Sequence, residues 1–261
     1  MATPRPLPLG PAASLHNHTV WSDGEEDMAV MILAARDAGL TVFGISDHWV
    51  CRPDGLVEDW AMPAHRLPDY IEALLAFRQR YETDSFRLLI GLEVDFFEEN
   101  AEQVMAHLAQ FPLDYTIGSA HFVGTFPVDH TREDWLQLGG QRDVDDLYHA
   151  YWQKLLHLCQ SGLYDLVGHL DLPKKFAFRP SYDDRGEIAS VLQALRDSGM
   201  AMELNTAGWA KDCRDAYPAA AIVAQAQQLG IPIAISTDSH HPAHIGRFVP
   251  QALQRLGGQQ P

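Results

Sequence analysis

The chain has 261 residues, a length that suits one α/β barrel or one large open sheet. Nineteen basic against 35 acidic residues give a formal net charge of −16. That excess argues against a nucleic-acid backbone or an anionic membrane surface as the main partner, because both require cationic patches. It leaves room for a small anionic molecule, since bound metal ions invert the local sign.

The first residues, MATPRPLPLGPAAS, are Pro-rich and lack the continuous apolar run of a signal peptide, so residues 1–13 read as a loose arm. Strand-like and helix-like stretches then alternate. Strands are predicted at 14–18, 41–46, 86–94, 113–118, 164–168, 201–205 and 231–236. Amphipathic helices are predicted at 26–39, 67–83, 99–110, 143–161, 184–199 and 217–229, with a shorter apolar piece at 248–256. Gly39, Gly162, Gly199 and Gly230 stand where helices need a left-handed cap. Such alternation means βα units and a mostly parallel sheet, with a strand count close to that of a (β/α)8 barrel. No Pro/Gly/Ser linker divides the chain, so residues 14–261 read as one domain. The longer loops, 49–66, 122–142 and 170–183, are candidate walls or lids of a site. Cys51, Cys159 and Cys213 include no CxxC pair, which disfavours a disulfide scaffold or a thiolate zinc knot and fits a reducing cytoplasm. No apolar run reaches transmembrane length.

The unusual count is 13 His, and what matters is where they fall. The first strand ends in His16-Asn17-His18, with Asp23 shortly after. The second ends in Asp47-His48, and the third in Glu93 with Asp95 beyond. His121 follows the fourth, His169 ends the fifth, Glu203 and Asn205 lie on the sixth, and Asp238-Ser239-His240 ends the seventh. Barrel active sites are built at that end of the strands. In an extended HxH, alternate side chains share a face, so His16 and His18 can grip one cation, and Asp238-x-His240 repeats the spacing. A lone His after a strand is ordinarily a packing or surface residue. Six His (16, 18, 48, 121, 169, 240) and three acids (Asp23, Glu93, Asp238) at matching ends form a pattern that chance does not readily produce. Imidazole with carboxylate suits zinc, manganese or iron better than calcium. Nine ligands exceed one tetrahedral zinc and point to two or three divalent ions. The remaining histidines, 65, 107, 130, 149, 157, 241 and 244, lack this placement. HExxH, a Walker loop, GxSxG and GxGxxG before a helix are absent.

The stretches HNHTVWSDG, GISDHW, GLEVDF, GSAHFV, VGHLD and STDSHHP together resemble the PHP (polymerase and histidinol phosphatase) superfamily, from about residue 14 to 247. GSAHFVGTFPVD, YDLVGHLDLPKKF and MELNTAGWAKDCRDAYP resemble its histidinol-phosphatase branch. The resemblance implies a distorted (β/α)7 TIM-like barrel of PHP type with a trinuclear centre. One metal would take His16, His18, Glu93 and Asp238; a second Asp23, His48 and His240; a third Glu93, His121 and His169, with Glu93 bridging. Asp23 departs from the His that many members carry near that position. The implied reaction is hydrolysis of L-histidinol phosphate to L-histidinol and phosphate, in histidine biosynthesis. Metal-activated hydroxide would attack phosphorus without a phosphoenzyme.

Cations in loops on the site side, Lys174, Lys175, Arg179, Arg214 and Arg247, are candidates to hold phosphoryl oxygens, with Arg247 and Lys175 foremost. Asp47 and Asn205 are candidates to orient His48 and neighbouring ligands. Phe122 and Trp209 are candidates to flank an imidazole-bearing substrate. Three rivals remain. A phosphoesterase of the same superfamily acting on another small phosphomonoester, a nucleotide or an oligonucleotide end would share the centre, but the charge of −16 weighs against a polymer. An amidohydrolase-type barrel usually adds a carbamylated Lys and ends in a lone Asp. A barrel that keeps ligands only for structure usually loses some of them.

Overall fold

A computed structural model describes residues 7–257. The chain enters through β1 (Ala13–Ser14) and α1 (Met28–Asp37), whose first turn is capped by the Asp27 side chain accepting from the Val30 N–H. There follow β2 (Val42–Ile45), β3 (His48–Trp49), α2 (Leu67–Tyr81), β4 (Arg87–Asp95), α3 (Ala101–Leu108) and β5 (Tyr115–Ser119). A short antiparallel ribbon, β6 (Phe122–Val123) and β7 (Phe126–Pro127), precedes α4 (Arg132–Leu136) and α5 (Gln141–Ser161). The chain then runs through β8 (Leu166–Val167), α6 (Arg185–Ser198), β9 (Ala201–Asn205), α7 (Ala220–Gln228), β10 (Ile233–Ser236) and α8 (Val249–Arg255).

The main sheet is parallel throughout, in the order β1-β2-β4-β5-β8-β9-β10, with β3 pairing on β4 beyond the end of β2. Its two edges meet where Asn17 bridges Ser239 and the His18 N–H donates to the Ser239 carbonyl at 2.9 Å. Seven strands therefore nearly close into a barrel wrapped by helices, as expected. Among the described residues no helix is long and apolar enough to cross a membrane, and the three cysteines are free.

Several strands are shorter than predicted. The 14–18 stretch keeps only Ser14 in a strand and 164–168 only Leu166 and Val167, and 41–46 gives way to β3 after a break at Ser46-Asp47. These losses fall largely at the C-terminal ends, where backbone groups pair across loops instead: Ser46 N–H donates to Asn17 O, and Glu93 N–H to Ser46 O. The 122–142 loop contains the unpredicted helix α4, although its signal is in the sequence. Thr131 and Asp134 form a reciprocal capping box.

Strand alternation separates two apolar layers. Leu88, Ile90, Leu92 and Val94 of β4 belong to the large cluster beneath the helices. Leu89 belongs to a second cluster with Leu15, Val42, Tyr115, Leu166, Ala201 and Ala234, which fills the barrel interior. Two and four residues beyond Leu89 on the same face come Gly91 and Glu93. Interior side chains thus pass from apolar to polar along one strand. Leu7 and Leu9 pack against this inner cluster. Residues 1–6 of the expected arm lie outside the described residues.

Tyr115 holds the middle of the floor. It is 1 % exposed, and its hydroxyl donates to the Leu15 carbonyl. Gly44 and Gly91 make room for its ring, because a Cβ on either would overlap the phenol. Gly91→Ala is expected to cost about 1–3 kcal/mol by overpacking. In a Tyr115→Leu background the same substitution should cost clearly less, a coupling that a denaturant-unfolding double-mutant cycle measures.

Candidate metal centre

All nine ligand candidates converge at the C-terminal mouth of the barrel. Glu93, on the inner face of β4, is their hub. Its Oε2 lies 2.7 Å from His48 Nδ1, 3.0 Å from His16 Nε2 and 3.6 Å from His18 Nε2. Its Oε1 lies 2.9 Å from His169 Nε2 and 3.5 Å from His121 Nε2, and accepts from Ser119 Oγ at 2.6 Å. Asp238 Oδ1 is 3.2 Å from His18 Nε2 and 3.7 Å from His16 Nε2. Asp23 reaches His48 Nε2 at 3.5 Å and His240 Nε2 at 3.2 Å. Each of the three sets implied by the resemblance is therefore compact. The geometry adds His18 to Asp23, His48 and His240, and also brings His169 together with His16 and Asp238.

The donor atoms fit divalent ions. His16 Nε2, both ring nitrogens of His18, His48 Nδ1 and Glu93 Oε2 are buried and make no hydrogen bond. Buried polar atoms are ordinarily satisfied. Here they approach closely but out of hydrogen-bond alignment, which is how lone pairs aimed at shared cations are arranged. Mixed imidazole and carboxylate donors are the set that zinc, manganese and iron prefer.

The imidazoles and carboxylates of the cluster shift one another's proton affinity. Burial alone would lower His16, yet the carboxylates of Glu93, Glu203 and Asp238 outweigh it and hold His16 well above the ordinary imidazole range. Burial is likewise overcome at His121, pushed up to about 10 by Asp95 and Glu93, and at His240, pushed up to about 9 by Asp23 and Asp238. His48 is raised by Glu93 and Asp23. His18 goes the other way, to about 3, because burial combines with repulsion from His48 and His240. Burial works against the charged forms of Glu93 and Asp238, but the surrounding imidazoles keep both well below the carboxylate range.

Two carboxylates outside the predicted set orient these rings. Glu203 Oε1 is 2.7 Å from His16 Nδ1, and its Oε2 accepts from the His169 N–H at 2.7 Å. Asp95 contacts His121 Nδ1 at 2.9 Å and accepts its backbone N–H at 3.0 Å. Such partners fix tautomer and ring angle. Asn205 Nδ2 bridges Glu203 and Asp238, each at 3.1 Å. Asp47 does not do what its position beside His48 suggested. It is fully buried and accepts from Thr19 N–H at 2.7 Å, Thr19 Oγ1 at 2.8 Å and Ser22 Oγ at 2.6 Å. It thus secures the turn that leads to Asp23. Burial pushes its carboxyl up to about 6 against those hydrogen bonds.

The centre opens into a cavity of about 710 Å³. Lys175 and Arg247 line it, as does Lys211, which the sequence reading missed. Lys175 Nζ donates to Asp129 Oδ2 at 3.1 Å, whereas Arg247 has no ion-pair partner among the described residues. The other cation candidates are not on the cavity. Arg179 donates to the carbonyls of Lys174 and Phe178, and Arg214 points into solvent from a left-handed turn. Lys174 is buried between Asp171 at 2.8 Å and Asp215 at 2.9 Å, a structural pairing. The 3₁₀ turn Leu172–Phe176 sends these adjacent lysines to different partners. Phe122 lines the cavity, but Trp209 packs against Phe248 and Arg255 instead. Of the histidines set aside, His149 and His157 pair with Glu187 and Glu98 away from the centre, while His130 and His244 line the cavity rim.

Ions entering this centre must displace protons, since the raised imidazoles are charged below their shifted values. Divalent-ion affinity should therefore tighten as pH rises from neutral toward about 9 and weaken on acidification. Calorimetry in two buffers of different ionisation enthalpy should register net proton release. Glu203→Gln should weaken ion affinity by about 10- to 100-fold in a chelator competition, with the fold retained by circular dichroism.

A profile of the PHP domain matches residues 14–207. The chain is 35 % identical over 223 residues to the probable histidinol-phosphatase of Deinococcus radiodurans, covering 85 % of this chain and 84 % of that one. It is 25 % identical over 217 residues to the histidinol-phosphatase of Bacillus subtilis, covering 76 % and 80 %. Its fold is similar to that of histidinol phosphate phosphatase from Lactococcus lactis, solved in complex with zinc, L-histidinol and phosphate. The TM-score is 0.78 and the identity 22 %, over 94 % of this chain and 92 % of that one. The match runs from the first ligand strand through β9, and the chain belongs to the PHP domain family.

Proposed function

We propose that this chain is a metal-dependent phosphomonoesterase that hydrolyses L-histidinol phosphate to L-histidinol and phosphate, a step of histidine biosynthesis. The observation that carries this reading is the convergence of nine ligand side chains, with cationic side chains on the cavity wall, at one barrel mouth. The chain that builds it is similar, over most of its length, to proteins named as histidinol-phosphatases.

His16, His18, Glu93 and Asp238 would hold one ion, Asp23, His48 and His240 a second, and Glu93, His121 and His169 a third. Divalent ions bound there supply Lewis acidity toward the phosphoryl oxygens and lower the pKa of water. The chain supplies the rest. Lys175, Lys211 and Arg247 present positive charge on the cavity wall, where phosphoryl oxygens gain charge in the transition state. Glu203 and Asp95 hold His16 and His121 in place through the reaction. Water would be the nucleophile, with no phosphoenzyme formed. Water adds its oxygen to phosphorus, the bond to the substrate oxygen breaks, and that oxygen leaves with a proton as the alcohol. A net charge of −16 favours a small substrate over a nucleic acid, and a biosynthetic role would place the reaction in the cytoplasm.

Phosphate release is to be compared for L-histidinol phosphate, a generic phosphomonoester and a short oligonucleotide, together with bound-metal analysis. Strong preference for histidinol phosphate, abolished by chelation, is the expected result. Release from the other substrates but not from histidinol phosphate would overturn the substrate assignment. Arg247→Met should lower kcat/KM by about 10- to 100-fold, the scale of one charge-assisted hydrogen bond, without loss of bound metal.

A further inference from the structure

The loop that leaves β3 after His48 forms one wall of the cavity, through Arg52, Glu58, Asp59 and Trp60. The plane of the Trp60 ring is nearly perpendicular to those of two ligand imidazoles, 4.7 Å from His48 and 5.5 Å from His121 between centroids. It lies nearly parallel to Phe122 at 6.2 Å. A large aromatic on a surface loop needs support to stay beside a polar centre, and a closed set of contacts gives it. Trp60 Nε1–H donates to Glu58 Oε2 at 3.2 Å, and Arg52 Nη1 donates to Glu58 Oε1 at 2.8 Å. The Arg52 guanidinium lies 4.7 Å from the Phe122 centroid, which returns the chain of contacts to Trp60. Arg52 also pairs with Asp54, so this cation is spent within its own loop. Asp59 is exposed, lines the same cavity, and has no ion-pair partner among the described residues.

The order of the sheet separates this wall from the cations. Lys175, Lys211 and Arg247 follow β8, β9 and β10, whereas the 52–60 loop follows β3, which is hydrogen-bonded to β4. A bound phosphomonoester meets positive charge on one arc of the rim and an aromatic face with a free carboxylate on another.

We propose that Trp60 and Asp59 are the specificity-determining residues for the leaving alcohol, and that they select one bearing a positive charge and a flat ring. This rests on the phosphatase reading above and says what that site discriminates. A protonated amine answers Asp59, and a ring or cation on Trp60 gains the attraction of an aromatic face. A neutral polyol would leave both unused. Arg52 and Glu58 are positioning residues that act through Trp60.

The test compares kcat/KM for L-histidinol phosphate, ethanolamine phosphate (charge without a ring) and glycerol 3-phosphate (neither), in the metal-loaded wild type, Trp60→Leu, Trp60→Phe and Asp59→Asn. Trp60→Leu should lower the ratio of histidinol phosphate to glycerol 3-phosphate by about tenfold, with Trp60→Phe restoring most of it. Asp59→Asn should lower the ratio of ethanolamine phosphate to glycerol 3-phosphate several-fold, and both variants should weaken L-histidinol binding in calorimetry. Unchanged ratios in both, or an equal fall for every substrate, would overturn the proposal. Asp59 is exposed, so its variant decides the matter if Trp60→Leu does not fold. The wild-type profile separately judges the phosphatase reading. If histidinol phosphate is not hydrolysed, that reading fails, while the charge ratio in Asp59→Asn still judges the wall.

Discussion

The architecture depends on Glu93, a fully buried carboxylate with five imidazoles within 3.6 Å of its two oxygens. A charge in that position is costly unless cations answer it. Each surrounding strand contributes to the answer, and each must end at the right height to do so. The β4 register puts Glu93 beside His48 of β3, while Ser119 of β5 reaches across to its Oε1. Tyr115 and the apolar floor below fix that height, so the inner face of β4 carries Leu89, Gly91 and Glu93 in order. Packing at the bottom and electrostatics at the top are two ends of one strand pattern.

What was legible in the sequence followed from direction. The C-terminal ends of parallel barrel strands gather at one mouth, so polar residues recurring at those ends were readable as one cluster without knowledge of the loops. Asp47 shows the limit. It adjoins His48 in sequence, but the break between β2 and β3 turns it toward Thr19 and Ser22. Loop cations were harder still. Lys175 and Arg247 reach the cavity while Arg179 and Arg214 do not, and the difference lies in turns whose backbone angles no periodicity announces. Glu203 was visible as a strand residue, but its contact with His16 spans 187 positions. Trp60 and Lys211 gave no signal beyond residence in a loop.

The centre and its rim divide the work. The barrel ends bring together imidazole and carboxylate donors of the kind that divalent cations prefer. The rim is built from loops that differ in charge by arc. The cationic side chains of the wall follow β8 to β10, whereas the aromatic and acidic ones of the 52–60 loop follow β3.

The sealed floor sets the traffic through this chamber. Among the described residues, Tyr115 and the inner cluster, with Leu7 and Leu9 against it, fill the base of the barrel. Substrate enters and both products leave by the same mouth. Free phosphate entering an empty chamber would meet the same groups as the phosphoryl group of the substrate, and is expected to compete with it.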